Sequence, residues 1–361
     1  MKILVIHATA GAGHKKAAEA IFNGLKLKGI HDVRLVDALD YTNPLFKKNY
    51  PGAYTFLVTR LPWLWGYLFG WLDVPWIQPL VQSARRMYNS LNARALEKFL
   101  IKEEFDDVIT THFLSAEVCS YLKRNGKIKS RIICVVTDFD VHHIWVNDGI
   151  DVYTAACDYT KNKLIALGVS PERIFTTGIP TDAKFFHKPD TSALKKKLGI
   201  QDGILTVLIA TGSFGMGPIE KLIELLAGYQ LLIVCGQNSV LYERLKPLAQ
   251  KNVHIMGLVD NMDELMAVAN VMVTKPGGLS ISEALVKKLP MLFFSAIQGQ
   301  ETNNIKVLST YEIVGPTQSS LPEIAQIIHE WSSNPKDLDA LRLRLGDLSK
   351  PNAVNDIIAL L

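Results

Sequence analysis

Cysteine is scarce in this sequence: four in 361 residues, at positions 119, 134, 157 and 235, with no Cys-x-x-Cys. Spacing this wide gives no zinc framework. Three of the four lie in apolar or strand-like runs, where a buried, reduced thiol is the ordinary state, and a reducing compartment fits. Charge of one sign is scarce too. The net charge of +4 is too small for a dedicated nucleic-acid binder. No uninterrupted apolar run reaches the roughly 20 residues a spanning helix needs. The first residues, Lys2-Ile-Leu-Val-Ile-His7, read as a strand rather than a signal peptide or lipidation motif.

What is present is the stuff of a large core. Hydrophobic residues make up 48% and charged residues 20%, which excludes a disordered chain. At about 150 residues per domain, the length suggests two domains. The charge is uneven: residues 1–190 carry a net +5 and residues 191–361 a net −1. A basic first half suits contact with an anionic surface such as a membrane.

Short β-branched runs alternate with helical patterns. Strands are expected at 2–7, 33–36, 107–110, 131–137, 151–155 and 173–177, then at 204–210, 231–235, 252–255, 271–274 and 290–294. The alternation predicts an α/β protein with two doubly wound, Rossmann-like parallel-sheet domains. The pattern restarts across 180–192, a proline-punctuated polar stretch that reads as a linker. The expected division is an N-terminal domain over 1–188, a C-terminal domain over 189–334, and closing helices over 335–361.

Residues 41–92 interrupt this order. Trp63, Trp65, Trp71 and Trp76 fall close together, and Asp73 is the only charge between Arg60 and Arg85. The flanks are basic, with Lys47, Lys48 and Arg60 before and Arg85 and Arg86 after. Trp at the headgroup level and Lys/Arg beside anionic lipid favour interfacial contact. A helical insertion that packs its aromatics inward is the competing reading.

Five segments carry chemistry. After the first strand comes Thr9-Ala-Gly11-Ala-Gly13-His14, glycines followed by a helix start, with His14 where the helix dipole disfavours its protonated form. A capping turn with an incidental histidine is the alternative. After strand 204–210 comes Gly212-Ser213-Phe214-Gly215-Met216-Gly217. It lacks the Lys-[Ser/Thr] of a P-loop and suits a diphosphate held by backbone N–H groups. Third is Lys275-Pro-Gly277-Gly278-Leu-Ser280-Ile-Ser-Glu283. There Glu283 could clamp ribose hydroxyls, or Ser280 and Glu283 could form a capping box. Fourth is Gln298-Gly-Gln300-Glu301-Thr-Asn-Asn304, with amides and a carboxylate suited to sugar hydroxyls. Fifth is Thr137-Asp138-Phe-Asp140-Val-His142-His143-Ile-Trp145. Its Asp-x-Asp could hold a metal, and His142 and His143 could suggest one too, but an active-site wall is the simpler reading.

Together these segments resemble the monogalactosyldiacylglycerol synthase and processive diacylglycerol glucosyltransferase family. Cys235-Gly236-Gln-Asn238, Gly257-Leu-Val259-Asp-Asn-Met262 and Gly178-Ile-Pro180 extend the match, in order, over residues 1–330. The resemblance implies a GT-B glycosyltransferase of the family 28 type, with two Rossmann-like domains facing a cleft, the C-terminal one holding the UDP-sugar and the N-terminal one the lipid acceptor, and with the last helix crossing back onto the first domain. It implies an inverting enzyme moving glucose or galactose from a UDP-sugar to diacylglycerol on the cytoplasmic face of the membrane, bound peripherally through 41–92. His14 would be the base, and Asp138 is a candidate to orient it. Gly11 and Gly13 would lie close to the ligand. Gly212, Ser213, Phe214, Gly215 and Met216 would hold the diphosphate. Gly236, Asn238, Val259, Lys275, Gly277, Gly278, Ser280 and Glu283 would also bind the UDP-sugar, with Glu283 on the ribose. Gln300, Glu301 and Asn304 would meet the sugar and phosphates. No metal or other cofactor is expected, and no nucleic-acid partner. Two departures from the family pattern stand out: Gln298 replaces a proline, and alanines occupy positions 10 and 12 of the first loop. A polyprenyl-linked acceptor, a UDP-N-acetylglucosamine 2-epimerase and a UDP-sugar sensor are the alternatives.

Overall fold

A computed structural model describes the chain except for residues 10, 211, 213–216 and 316–317, and except for the side chains of residues 51, 53–55, 59, 75, 79 and 90. The described residues form two compact units. The first comprises Met1–Asp182, Ile297–Asn304 and Lys350–Leu361, and the second Ala183–Ala296 and Ile305–Ser349.

The first unit is built on six strands: β1 (Ile3–His7), β2 (Val33–Asp37), β3 (Asp107–Thr110), β4 (Arg131–Val135), β5 (Val152–Thr154) and β6 (Ile174–Phe175). They lie in the order β2-β1-β3-β4-β5-β6, every pair parallel. Alternation along β1 divides its side chains between two cores: Leu4 and Ile6 face one, Ile3 and Val5 the other. A sheet covered on both faces explains why these strands read as unbroken apolar runs. Its main helices are α1 (Ala12–Leu27), α2 (Pro44–Arg60), α3 (Pro62–Trp71), α4 (Gln78–Asn92), α5 (Arg94–Glu103), α6 (Phe113–Arg124) and α7 (Asp158–Ala166).

The second unit carries α8 (Thr191–Leu198), β7 (Thr206–Ala210), α9 (Ile219–Leu225), β8 (Gln230–Val234), α10 (Ser239–Leu245), β9 (Val253–Met256), α11 (Met262–Val268), β10 (Val271–Thr274), α12 (Gly278–Val286) and β11 (Met291–Phe293). Its sheet order is β11-β10-β7-β8-β9, again all parallel. Helix α13 (Gln300–Ser309) follows, then α14 (Leu321–Ser333), α15 (Pro335–Leu348) and α16 (Ala353–Ile358).

The division departs from the sequence expectation at three places. The break falls after Asp182, and the closing helices split, α15 belonging to the second unit and α16 to the first. Ile297–Asn304 counts with the first unit although it follows the last strand of the second. Packing explains the second of these. Leu341 and Leu345 of α15 are buried, and the helix lies against α12 and α14. Helix α16 packs on α1, where Gly24 lacks the Cβ that would come within 2.4 Å of Val354.

The aromatic stretch forms α2, α3 and α4, and it carries both expected characters at once. Phe46, Val58 and Ile77 are buried, while α3 buries no residue. Trp63 is 65% exposed, Tyr67 68%, Leu80 73% and Trp76 80%. Polar bonds anchor the insertion from beneath. Arg85 and Asn89 of α4 both donate to Glu117 Oε2 on α6, Asn89 at 2.9 Å. Asp73 Oδ1 accepts from the His143 backbone N–H at 2.8 Å and from its Nδ1 at 2.9 Å. His142 Nε2 donates to the Phe69 carbonyl at 2.9 Å. The one acid of the stretch is thus its tie to the 138–145 loop. No helix among the described residues is long and apolar enough to cross a membrane.

Candidate active site

In open parallel sheets, ligands bind outside the carboxyl ends of the strands where the winding reverses. In the first unit that point lies between β1 and β3. His14 follows β1 and Thr111 follows β3, and the two meet there. His14 Nδ1 lies 2.8 Å from the Thr111 carbonyl and 2.8 Å from Thr137 Oγ1. The Thr111 hydroxyl donates in turn to the His14 carbonyl at 2.9 Å. A carbonyl can only accept, so Nδ1 carries the ring proton. Nε2 is then the atom with a lone pair, the tautomer a general base requires. Burial, opposed by the Thr111 bond and aided by His7, lowers the His14 pKa to about 4.

The walls are rings. His112 stands edge-on to His14 with centroids 4.6 Å apart, and Trp145 is 6.0 Å away. His142 and His143, weighed as metal ligands from sequence, are engaged elsewhere. His142 Nδ1 accepts from the Ile144 N–H at 3.0 Å and Nε2 is bonded to Phe69, while His143 is held by Asp73.

Gly11 and Gly13 act differently from the expected tight turn. Gly11 is the extended N-cap of α1, and Gly13 lies in its first turn. Neither needs a left-handed backbone. A Cβ on Gly11 would meet nothing within 4 Å, so this residue leaves open space beside the helix N-terminus.

Asp138 has different partners from the expected histidine. Gln300 Nε2 donates to both its carboxylate oxygens, at 3.2 and 3.1 Å. Burial raises its pKa to about 6, against the opposing bonds from Gln300 and Asn304. Thr111 and Thr137 occupy the orienting role because they lie at the ends of strands β3 and β4, on the side where α1 begins. The Asn304 side chain is fully buried, and its Oδ1 accepts from the N–H groups of Phe139 at 2.9 Å and Asp140 at 3.2 Å. Asn303 donates to Asp140 Oδ2 at 2.9 Å, and Glu301 Oε2 accepts from the Ile297 N–H at 2.7 Å. Gln300, Glu301 and Asn304, expected at sugar and phosphate, thus have protein partners here. Buried backbone N–H groups require acceptors, and Asn304 supplies one for Phe139 and Asp140.

In the second unit the winding reverses between β7 and β10. The loops after these strands hold the other expected contacts. Gly212 adopts φ +71, and a Cβ added there would meet nothing within 4 Å. This is the open, left-handed backbone a phosphate cradle uses. Ser213, Phe214, Gly215 and Met216 lie outside the described residues. Gly236 follows β8 with φ +62, and Asn238 caps α10 by accepting from the Leu241 N–H at 2.9 Å. Val259 lies after β9, half-buried. Lys275 is buried just after β10, and Gly277 is the N-cap of α12 with Gly278 as its first residue. Because the cap is Gly277 and makes no side-chain bond, Ser280 and Glu283 do not form a capping box. Both sit within the helix, half-buried.

Gly217 closes this loop at φ +138, and an added Cβ would lie 2.3 Å from the Phe294 ring. Gly217→Ala is expected to destabilise the protein by about 1–3 kcal/mol through strain and overpacking. Thermal unfolding checks this, with nucleotide binding falling in parallel.

Residues 14–181 match the family model of monogalactosyldiacylglycerol synthase, and residues 206–313 match that of the glycosyltransferase family 28 C-terminal domain. These matches make the chain a glycosyltransferase. Among its relatives is the processive diacylglycerol beta-glucosyltransferase of Bacillus subtilis, 26% identical over 93% of this chain and 91% of the relative. The Bacillus pumilus protein of the same name is 29% identical over 86% and 81%. In fold, the glycosyltransferase is similar to Acinetobacter baumannii MurG, with TM-score 0.61, 15% identity and coverage of 100% and 99%. It is also similar to the UDP-GlcNAc 2-epimerase of Neisseria meningitidis, with TM-score 0.59, 13% identity and coverage of 99% of each chain. Both likenesses describe the GT-B architecture. The epimerase alternative therefore shares the fold, while the family models cover the two units as a transferase.

Sequence reasoning passed over Thr111 and His112. The available signal was position: Thr110-Thr111-His112 stands at the carboxyl end of β3, beside the point where the sheet order reverses.

Proposed function

We propose that the enzyme transfers a hexose, glucose or galactose, from a UDP-sugar to the free hydroxyl of diacylglycerol, with inversion at the anomeric carbon. The observation that carries the reading is the fixed tautomer of His14. A neutral imidazole with Nε2 unprotonated can take the acceptor's proton as its oxygen attacks, and one base suffices for single displacement. The names of the curated relatives support diacylglycerol as acceptor and glucose as one donor sugar. The open, left-handed backbone at Gly212 and the N-terminus of α12 support a leaving nucleoside diphosphate held by N–H groups. In this reading no metal is required, and Gln300 and Asn303 serve the Asp138 and Asp140 carboxylates in its place.

The exposed aromatics of α3 and its neighbours support work at a membrane surface. Trp63, Tyr67 and Trp76 present rings outward, beside basic Arg60 and Arg86. Anionic lipid on the cytoplasmic face is the partner that this pairing suits. The test is UDP release with diacylglycerol-containing liposomes, run against each UDP-sugar with lipid products separated. One donor yielding glycolipid is expected. UDP release without glycolipid, or nucleotide binding without turnover, would sink the proposal.

A further inference from the structure

His112 is 1% exposed, yet its Nε2 has no hydrogen-bond partner among the described residues. Its other nitrogen is spoken for. As N-cap of α6, Nδ1 accepts from the Leu114 N–H at 3.0 Å. An acceptor at Nδ1 places the ring proton on Nε2, so a donor is buried with nothing among the described residues to receive it. Buried donors left unmatched are costly and uncommon. The residue is held firmly besides: its carbonyl accepts from Thr110 Oγ1 at 3.0 Å and from Ser115 Oγ at 2.9 Å.

The neighbours say what would receive the proton. The His14 ring lies 4.6 Å away, edge-on, and its open nitrogen is a lone pair. The Tyr50 ring of α2 lies 6.4 Å away on the side of the insertion, whose Leu45 and Phe56 are exposed. His112 thus stands between the base and a helix that exposes Leu45 and Phe56 beside Lys47, Lys48 and Arg60. One histidine offers an acceptor and the next a donor. That pair suits a substrate group that must give a proton and also be held through an oxygen lone pair.

We infer that His112 is a catalytic residue that donates its Nε2–H to an oxygen of the lipid acceptor while His14 takes the hydroxyl proton. The inference rests on the proposed transfer to a glycerolipid hydroxyl. The oxygen is either that hydroxyl or a neighbouring ester carbonyl, since both offer a lone pair within reach of the same donor.

Two substitutions separate capping from donation. In His112→Asn the side-chain oxygen still caps α6, since asparagine is a favoured N-cap, but no donor reaches the Nε2 position. In His112→Gln an amide N–H reaches that position while the cap is impaired. Steady-state rates are measured in mixed micelles with diacylglycerol and with its dialkyl ether analogue, alongside thermal unfolding. His112→Asn is expected to lower kcat/KM for the acceptor by about 5–30-fold, the loss of one hydrogen bond in a buried site. Its KM for the donor and its unfolding temperature should stay near wild type, and His112→Gln should recover most of the rate. A loss on both acceptors assigns the hydroxyl, and a loss on the ester alone assigns the carbonyl. Wild-type rates for His112→Asn on both acceptors would overturn the inference. So would His112→Gln being slower and less stable than His112→Asn, which would leave only the cap. Absence of glycolipid from the wild-type enzyme would instead count against the proposed function, before either variant is compared.

Discussion

His14→Ala is expected to lower kcat by about 10²–10⁴-fold, the usual contribution of a positioned general base. Binding of UDP to the second unit should be unchanged, because His14 and its partners Thr111 and Thr137 all belong to the first. Isothermal titration with UDP, beside the liposome rate assay, separates the two effects. The pH dependence is specific. With its pKa lowered to about 4 by burial, His14 is the neutral base throughout pH 5–8. The wild-type rate should therefore show no loss from His14 as pH falls through 6.5, and its acid limb should lie near 4. The linked stability has the matching sign. Between 6.5 and 4 the unfolded chain binds the proton that folded His14 refuses, so this group costs stability as pH falls. His14→Ala should lose less stability than wild type on going from pH 7 to pH 5. A variant with near-wild-type turnover would remove His14 from the role of base.

The second large effect is on membrane contact. The double substitution Trp63→Ser with Trp76→Ser removes two rings that are 65% and 80% exposed. An indole that moves from water into the headgroup region contributes about 1–2 kcal/mol when roughly half its area is covered. The pair should weaken binding to diacylglycerol vesicles by about 30–1,000-fold. Flotation or vesicle sedimentation reads this directly. Turnover of a short-chain diacylglycerol dissolved below its aggregation limit should be nearly unchanged, since neither ring lies against His14. Equal loss on dissolved and vesicle-borne acceptor would mean that the rings serve the site rather than the surface.

Most of the fold was legible because both sheets are parallel and covered on both faces. Runs such as Ile3–His7 and Thr206–Ala210 are buried throughout, and the helices between them carry the usual periodicity. His14 was legible for a local reason, standing just past a glycine cap after a strand. Its partners were not. Thr111 comes from a strand about a hundred residues on, and the bond runs through a backbone carbonyl, which any residue type supplies. His112 has no motif around it, and only the strand order gives its position meaning. Asp73 was visible as an exception in an uncharged stretch, but nothing in the spacing pairs it with His143. Gln300 and Asn304 have the residue types that bind sugars. Those same types cap buried N–H groups, and composition cannot tell the two uses apart.

The C-terminal helix has a consequence for how the protein comes into being. Residues Lys350–Leu361 complete the first unit, yet they are synthesised after every residue of the second. Ile357 and Ile358 of α16 join Ile3, Val5 and Ile21 in one core, and Arg131 donates to the Leu360 carbonyl. Until those residues leave the ribosome, the part of this core that α16 covers beside α1 stays open. The first unit therefore closes only after the residues of the second have been made, and the second can close while the first still waits. A nascent chain stalled before residue 350 would present that part of the core to chaperones or to other copies of itself, and docking of α16 would be the step that ends its exposure.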